Sequence, residues 1–130
     1  MEAVAKLRNH EIAPRKMGLL CSLIRGKDVY SALNILRFQR KAGSLALEKL
    51  LRSAISNWSN KYNIDLDEAN LFVKEVYATP GRTLKRFRPA PQGRAYRIRK
   101  RSNHVTLVVA SRLESVSNPS QEVVKEEPKA

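Results

Sequence analysis

An α+β fold is what this sequence predicts, and two observations carry the prediction. The first half of the 130 residues holds three apolar repeats at helical spacing, and the second half holds two segments of strand-forming residues on either side of a basic stretch. This length suits a single domain, read as residues 1–112, and 42% hydrophobic residues suffice for its core.

Residues 1–12 give a weak edge-strand signal through Val4 and Leu7. Pro14 suits a first helical turn, and Met17, Leu20, Cys21 and Ile24 follow at the spacing of one buried face. Gly26 ends that helix, and Asp28 is an N-cap for the next, where Val29, Ala32, Leu33 and Leu36 repeat the spacing. Arg37, Arg40 and Lys41 near its end complement the helix dipole. The third helix restarts after Gly43 and Ser44 and carries the longest amphipathic pattern, Leu47, Leu50, Leu51, Ala54, Ile55 and Trp58. An acidic loop with Asp65, Asp67 and Glu68 precedes residues 71–78, where Phe72, Val73, Val76 and Tyr77 favour a strand; residues 104–110 read the same way.

A chain folding back near Pro91 sets residues 71–78 opposite 104–111, apolar on apolar, and residues 82–88 opposite 94–100, basic on basic. This predicts one very long, protruding basic β-hairpin at about 79–103, with Pro89, Pro91 and Gly93 as turn residues at its tip. No chain remains to cover its arms, and a two-stranded ribbon with like charges facing is marginal in water, so the arms are expected to order on a bound partner. Residues 113–130, with prolines, serines and glutamates in excess, are expected to form a disordered tail.

Several chemistries are excluded. No stretch approaches the 18 or so apolar residues of a membrane span and the N-terminus lacks a secretory apolar region, so the chain is expected to be soluble and intracellular, with no membrane partner. Cys21 is the only cysteine, which rules out an internal disulfide and a cysteine zinc cluster. Asp65 and Asp67 resemble the start of a calcium loop, but Asn70 stands where glycine is needed and Val76 where glutamate is needed. His10, His104 and Cys21 have no neighbours at ligand spacing, so no metal is expected. Arg25, Gly26 and Lys27 lie in no phosphate-loop pattern, and no acid–base or nucleophile constellation stands in an apolar setting. Neither an enzyme nor a cofactor is expected.

Charge is more informative. Twenty-five Lys and Arg against 12 Asp and Glu leave +13, a balance that a polyanion neutralises. The hairpin segment holds Arg82, Lys85, Arg86, Arg88, Arg94, Arg97, Arg99, Lys100 and Arg101 with no acid. Arginine offers bidentate donors to phosphate, and Phe87 and Tyr96 are placed to stack on unpaired bases or to pack across the strands. Arg15 and Lys16 stand in the first turn of the first helix, where cations oppose the helix dipole, a frustration that an external anion relieves. Folded RNA is the expected partner. The alternative is a DNA-architectural protein whose basic arms grip a duplex, and one hairpin with no dimerisation signal counts against it.

The segments APRK at 13–16, IRGK at 24–27, LFVKEVY at 71–77, TLKRFRP at 83–89 and GRAYRIRKRSNHV at 93–105 together resemble the universal large-ribosomal-subunit protein family numbered twenty-two, in its bacterial and organellar form, from residue 3 to about 111. The resemblance implies three helices packed on a small three-stranded antiparallel sheet. It implies large-subunit ribosomal RNA bound through Arg15, Lys16, Arg25 and Lys27 together with the nine hairpin bases, a role in subunit assembly, neighbouring ribosomal proteins as partners and a place in the cytoplasmic or organellar ribosome. It further implies that Phe87, Arg88, Pro89, Ala90, Pro91, Gln92, Gly93 and Arg94 line the nascent-peptide exit tunnel, touching the nascent peptide. The family usually carries bases at the positions of Ala90 and Gln92, so the tip here is less charged.

Overall fold

The computed structural model describes residues 2–112. The expected tail at 113–130 lies outside them. Among the described residues the order is β1 (Glu2–His10), α1 (Pro14–Ile24), α2 (Val29–Phe38), α3 (Ser44–Tyr62), α4 (Leu66–Ala69), β2 (Leu71–Pro80), β3 (Leu84–Pro89), a 3-10 turn (Pro91–Gly93), β4 (Ala95–Lys100) and β5 (Asn103–Ser111). The fold is α+β, with an antiparallel three-stranded sheet ordered β1-β5-β2 and a separate two-stranded ladder, β3-β4.

The three predicted helices form on the predicted residues. In α1, Pro14 occupies the first turn and Met17, Leu20, Cys21 and Ile24 are buried. The helix ends at Ile24, and Gly26 takes a φ of +78° that lets the chain turn back into α2. The α3 helix buries Leu47, Leu50, Leu51, Ala54 and Trp58 and closes on Asn63 in the left-handed conformation. Two local expectations need correction. Asp28 stands at the N-cap of α2 but makes no capping bond; its carboxylate pairs with Arg112 at 3.2 Å instead. The acidic loop contains a fourth, one-turn helix, α4, because Asp65 accepts a hydrogen bond from the Asp67 backbone N–H.

Cys21 has no exposed surface, and burial pushes its thiol from the ordinary 9.0 up to about 11. A raised thiol favours the folded state fully below about pH 9, and the gain is lost as pH rises through 11. Native protein at pH 8 is expected to resist iodoacetamide until denaturant is added; alkylation at the rate of a free thiol would place Cys21 outside the core.

The sheet turns one face to the helices. Ala3 and Ala5 of β1, Val73 and Val76 of β2, and Val105, Leu107 and Val109 of β5 make that face. The expected edge strand forms as β1, but its buried face is made by the two alanines while Val4 is 45% exposed. Small side chains let α3 lie close on β1, where Asn57, Lys61 and Tyr62 donate to the Val4 and Glu2 carbonyls. The outer edge of β2 is occupied as well. Gly26 N–H donates to the Val73 carbonyl, Val73 N–H donates to the Lys27 carbonyl, and the Arg25 guanidinium donates twice to the Val76 carbonyl. Such partners blunt the tendency of bare edges to pair with other chains.

Register steps twice along the β2 side. Val73 pairs with Val109, but a bulge at Lys74 makes Val76 pair with Leu107, which turns both valines to the core although their spacing is odd. A second step between Pro80 and Leu84 sets Leu84 against Lys100. Between the steps, Gly81 N–H donates to the Ser102 carbonyl at 2.8 Å and joins the three-stranded sheet to the two-stranded ladder. A Cβ on Gly81 would lie 2.7 Å from Ser102 Oγ, which is held by its own bond to the Arg82 carbonyl. Gly81→Ala is therefore expected to cost about 1–3 kcal/mol through overpacking and to raise amide exchange at the junction. A urea midpoint equal to the parent's would show that the junction has slack.

Candidate nucleic-acid interface

The β3-β4 ladder carries the basic segment. Every residue of β3 is exposed, and in β4 only Ile98 is half-buried. The tip closes with Ala90 N–H donating to the Arg94 carbonyl at 2.7 Å, while Gln92 and Gly93 take positive φ; Pro89 ends β3 rather than turning. The turn thus centres one residue later than Pro91.

The expected confrontation of base with base is largely undone by the register. The pairs are Leu84 with Lys100, Lys85 with Arg99, Arg86 with Ile98, Phe87 with Arg97, and Arg88 with Tyr96. Only Lys85 and Arg99 set cation against cation. The other four place one cation beside an apolar or aromatic side chain, which removes like-charge repulsion and gives the aliphatic stem a surface to cover. Alternation also gives the ribbon two faces. Lys85, Phe87, Arg97 and Arg99 project on one, and Leu84, Arg86, Arg88, Tyr96, Ile98 and Lys100 on the other. Phe87 is 70% and Tyr96 61% exposed on opposite faces, so cross-strand packing of the two rings does not occur.

The other predicted site residues are distributed. Arg15 lies with Lys85, Arg99 and Arg101 around one recess at the ribbon's base. Lys16, its neighbour in sequence, lines a different groove with Leu19 and Lys41, because successive helical residues diverge by about 100°. Arg82 and Lys100 line a third recess, which Arg101 shares. Arg25 is engaged on the Val76 carbonyl, and Lys27 is exposed at the far end of α1. Among the described residues no carboxylate pairs with any of the nine ribbon bases or with Arg15.

Two basic features escaped the sequence reading. Lys6 and Arg8 border a recess with Asn9 and His104, where Asn9 N–H donates to His104 Nδ1 at 3.0 Å. Phe38 is 81% exposed between Arg37 and Arg40, whose charges were assigned to the helix dipole alone. An aromatic residue among three cations was the available signal there.

The described residues hold no group of three His, Cys, Asp or Glu side chains placed for a metal ion. What the ribbon and the recesses expose instead is cationic and aromatic, the equipment for a phosphate backbone and for bases.

Residues 5–110 match the family described as Ribosomal protein L22p/L17e. Among curated proteins, the chain is similar to the large ribosomal subunit protein uL22 of Flavobacterium johnsoniae, at 57% identity over 117 residues, covering 89% of this chain and 85% of that one. The uL22 of Christiangramia forsetii is 58% identical over 110 residues, covering 84% and 82%. That of Bacteroides fragilis is 54% identical over 108 residues, covering 83% and 79%. These relatives carry the name of a ribosomal building block and not of an enzyme. With most of its length matched both ways, the chain belongs to the Ribosomal protein L22p/L17e family.

Proposed function

We propose that this chain is a structural component of the large ribosomal subunit that binds ribosomal RNA, supports subunit assembly and presents its hairpin tip to the nascent-peptide exit tunnel of cytoplasmic ribosomes. One observation carries the reading best: the segment 82–101 holds nine bases and no acid, and its ribbon has an aromatic residue on each face and neither face covered. At about 3.3 Å per residue, the arm from Gly81 to Pro89 spans on the order of 30 Å, far enough to carry residues 87–94 into a cleft the helices cannot enter. Arg15, Lys16, Lys27 and the ribbon bases are the proposed RNA contacts, and Arg25 contributes chiefly by fixing the α1–β2 edge. Neighbouring ribosomal proteins are the proposed further partners. The DNA-architectural reading is not favoured, given the family.

Sedimentation tests the proposal. The protein is expected to travel with the large subunit and to leave it only in high salt or denaturant; recovery in the soluble fraction at low salt contradicts it. For the isolated chain, about six neutralised phosphates give a slope of roughly −4 to −5 for log K against log salt on ribosomal RNA. A slope near zero contradicts an electrostatic contact.

A further inference from the structure

We infer that the recess at the ribbon's base is a seat for one backbone phosphodiester of RNA, gripped jointly by the helical body and the ribbon. The inference rests on the RNA-binding reading above and adds which cations share a phosphate. Four cations from four parts of the chain line a single recess of about 500 Å³: Arg15 from α1, Lys85 from β3, Arg99 from β4 and Arg101 from the link into β5. No acidic residue lines it.

Like charges gathered without a counter-charge repel, and the fold gains nothing from gathering them. Arg15 illustrates the point: it stands in the first turn of α1, where a cation opposes the dipole and where no acid offsets it. An anion in the recess turns this repulsion into attraction for all four side chains. The walls permit close approach, since Pro14, Pro80 and Gly81 bring backbone and short side chains to the surface, and Thr83 adds a hydroxyl. Gly81 is also where the two sheets are hydrogen-bonded together. A phosphate held here therefore bonds to both sides of the joint and sets the angle at which the ribbon leaves the body.

A salt-slope cycle on the full chain tests this, with protein-free large-subunit ribosomal RNA of Flavobacterium johnsoniae as probe. Each neutralised phosphate contributes about 0.7 to 0.9 to the slope of log K against log salt. If Arg15 and Arg101 hold the same phosphate and the seat needs both of them, Arg15→Gln, Arg101→Gln and the double variant each lower the slope by about that one share. A double variant that loses about twice that amount, 1.4 to 1.8, means two separate phosphates and overturns the shared seat. A double variant with the parent slope means the recess holds no phosphate and overturns it as well. In either case the parent chain still shows its own salt slope, whereas a parent without one defeats the RNA-binding reading itself. Thermal melting accompanies each variant, and Arg15→Lys with Arg101→Lys, which keeps both charges, is expected to keep the parent slope.

Discussion

Trp58→Ala is expected to remove about 3–5 kcal/mol of folding stability, against the 5–15 kcal/mol that holds an ordinary domain together. Trp58 is the largest fully buried side chain among the described residues, its ring 5.4 Å from that of Tyr62 and tilted by 49°, and packed within the same core as the strands. Its truncation leaves a cavity that the surrounding helices and sheet cannot refill, because other core residues such as Leu51 and Leu107 are themselves fully enclosed. The indole Nε1 has no hydrogen-bond partner among the described residues. Trp58→Phe therefore removes an unsatisfied donor along with part of the ring, and its cost should be less than half that of alanine. Urea unfolding monitored by circular dichroism measures both. A Trp58→Ala protein within about 1 kcal/mol of the parent would show that α3 is not seated on the sheet as described.

The second large effect separates binding from folding. Changing Arg86, Arg88, Arg97 and Arg99 together to glutamine is expected to lower the salt slope for RNA by about 3, four phosphates at 0.7 to 0.9 each, and to abolish incorporation into large subunits. Melting of the free protein should stay where it is or rise. These side chains touch no acid and lie outside the core, and one of the substitutions, Arg99→Gln, relieves the only cation pair in the ladder. Parallel losses of melting temperature and of RNA affinity would mean that the ribbon bases support the fold, contrary to their exposure.

How much of this was legible in the sequence follows from side-chain size and from spacing. The helices α1 to α3 were readable because each buries large apolar residues at every third or fourth position, with polar residues between. Strand β1 gave only a weak edge-strand signal, since its buried face is made of Ala3 and Ala5 while the larger Val4 faces outward. The pairing of β2 with β5 was placed correctly at its start, but a symmetrical fold-back cannot see an inserted residue. The trace was present nonetheless: Val73 and Val76 sit an odd number apart, which a regular strand cannot bury on one face. That slip matters most at the ribbon, where it exchanges basic-on-basic rungs for mixed ones. The ribbon as the carrier of charge was legible from composition, whereas the separation of Arg15 from Lys16, and the gathering of Arg15 with Arg101, depends on how α1 is laid beside the ribbon's base. No linear pattern records that.

Strand β5 lies between β1 and β2, and neither of those pairs with the other. During synthesis the chain therefore emerges with both outer strands lacking their only strand partner until residues 103–111 appear. The helices and the β3-β4 ribbon, built from contacts close in sequence, have no such delay. Among the described residues β5 is the last strand made and the one that converts these pieces into a cooperative unit, so a chain stopped just before Asn103 should lack the three-stranded sheet. Loop-closure entropy makes this step the slow one, because pairing Ala3 with Val109 joins residues from opposite ends of the described chain. On the RNA-binding reading proposed above, an RNA surface that orders the ribbon while β1 and β2 wait would hold the chain in place and spare it the search for other edges to pair with.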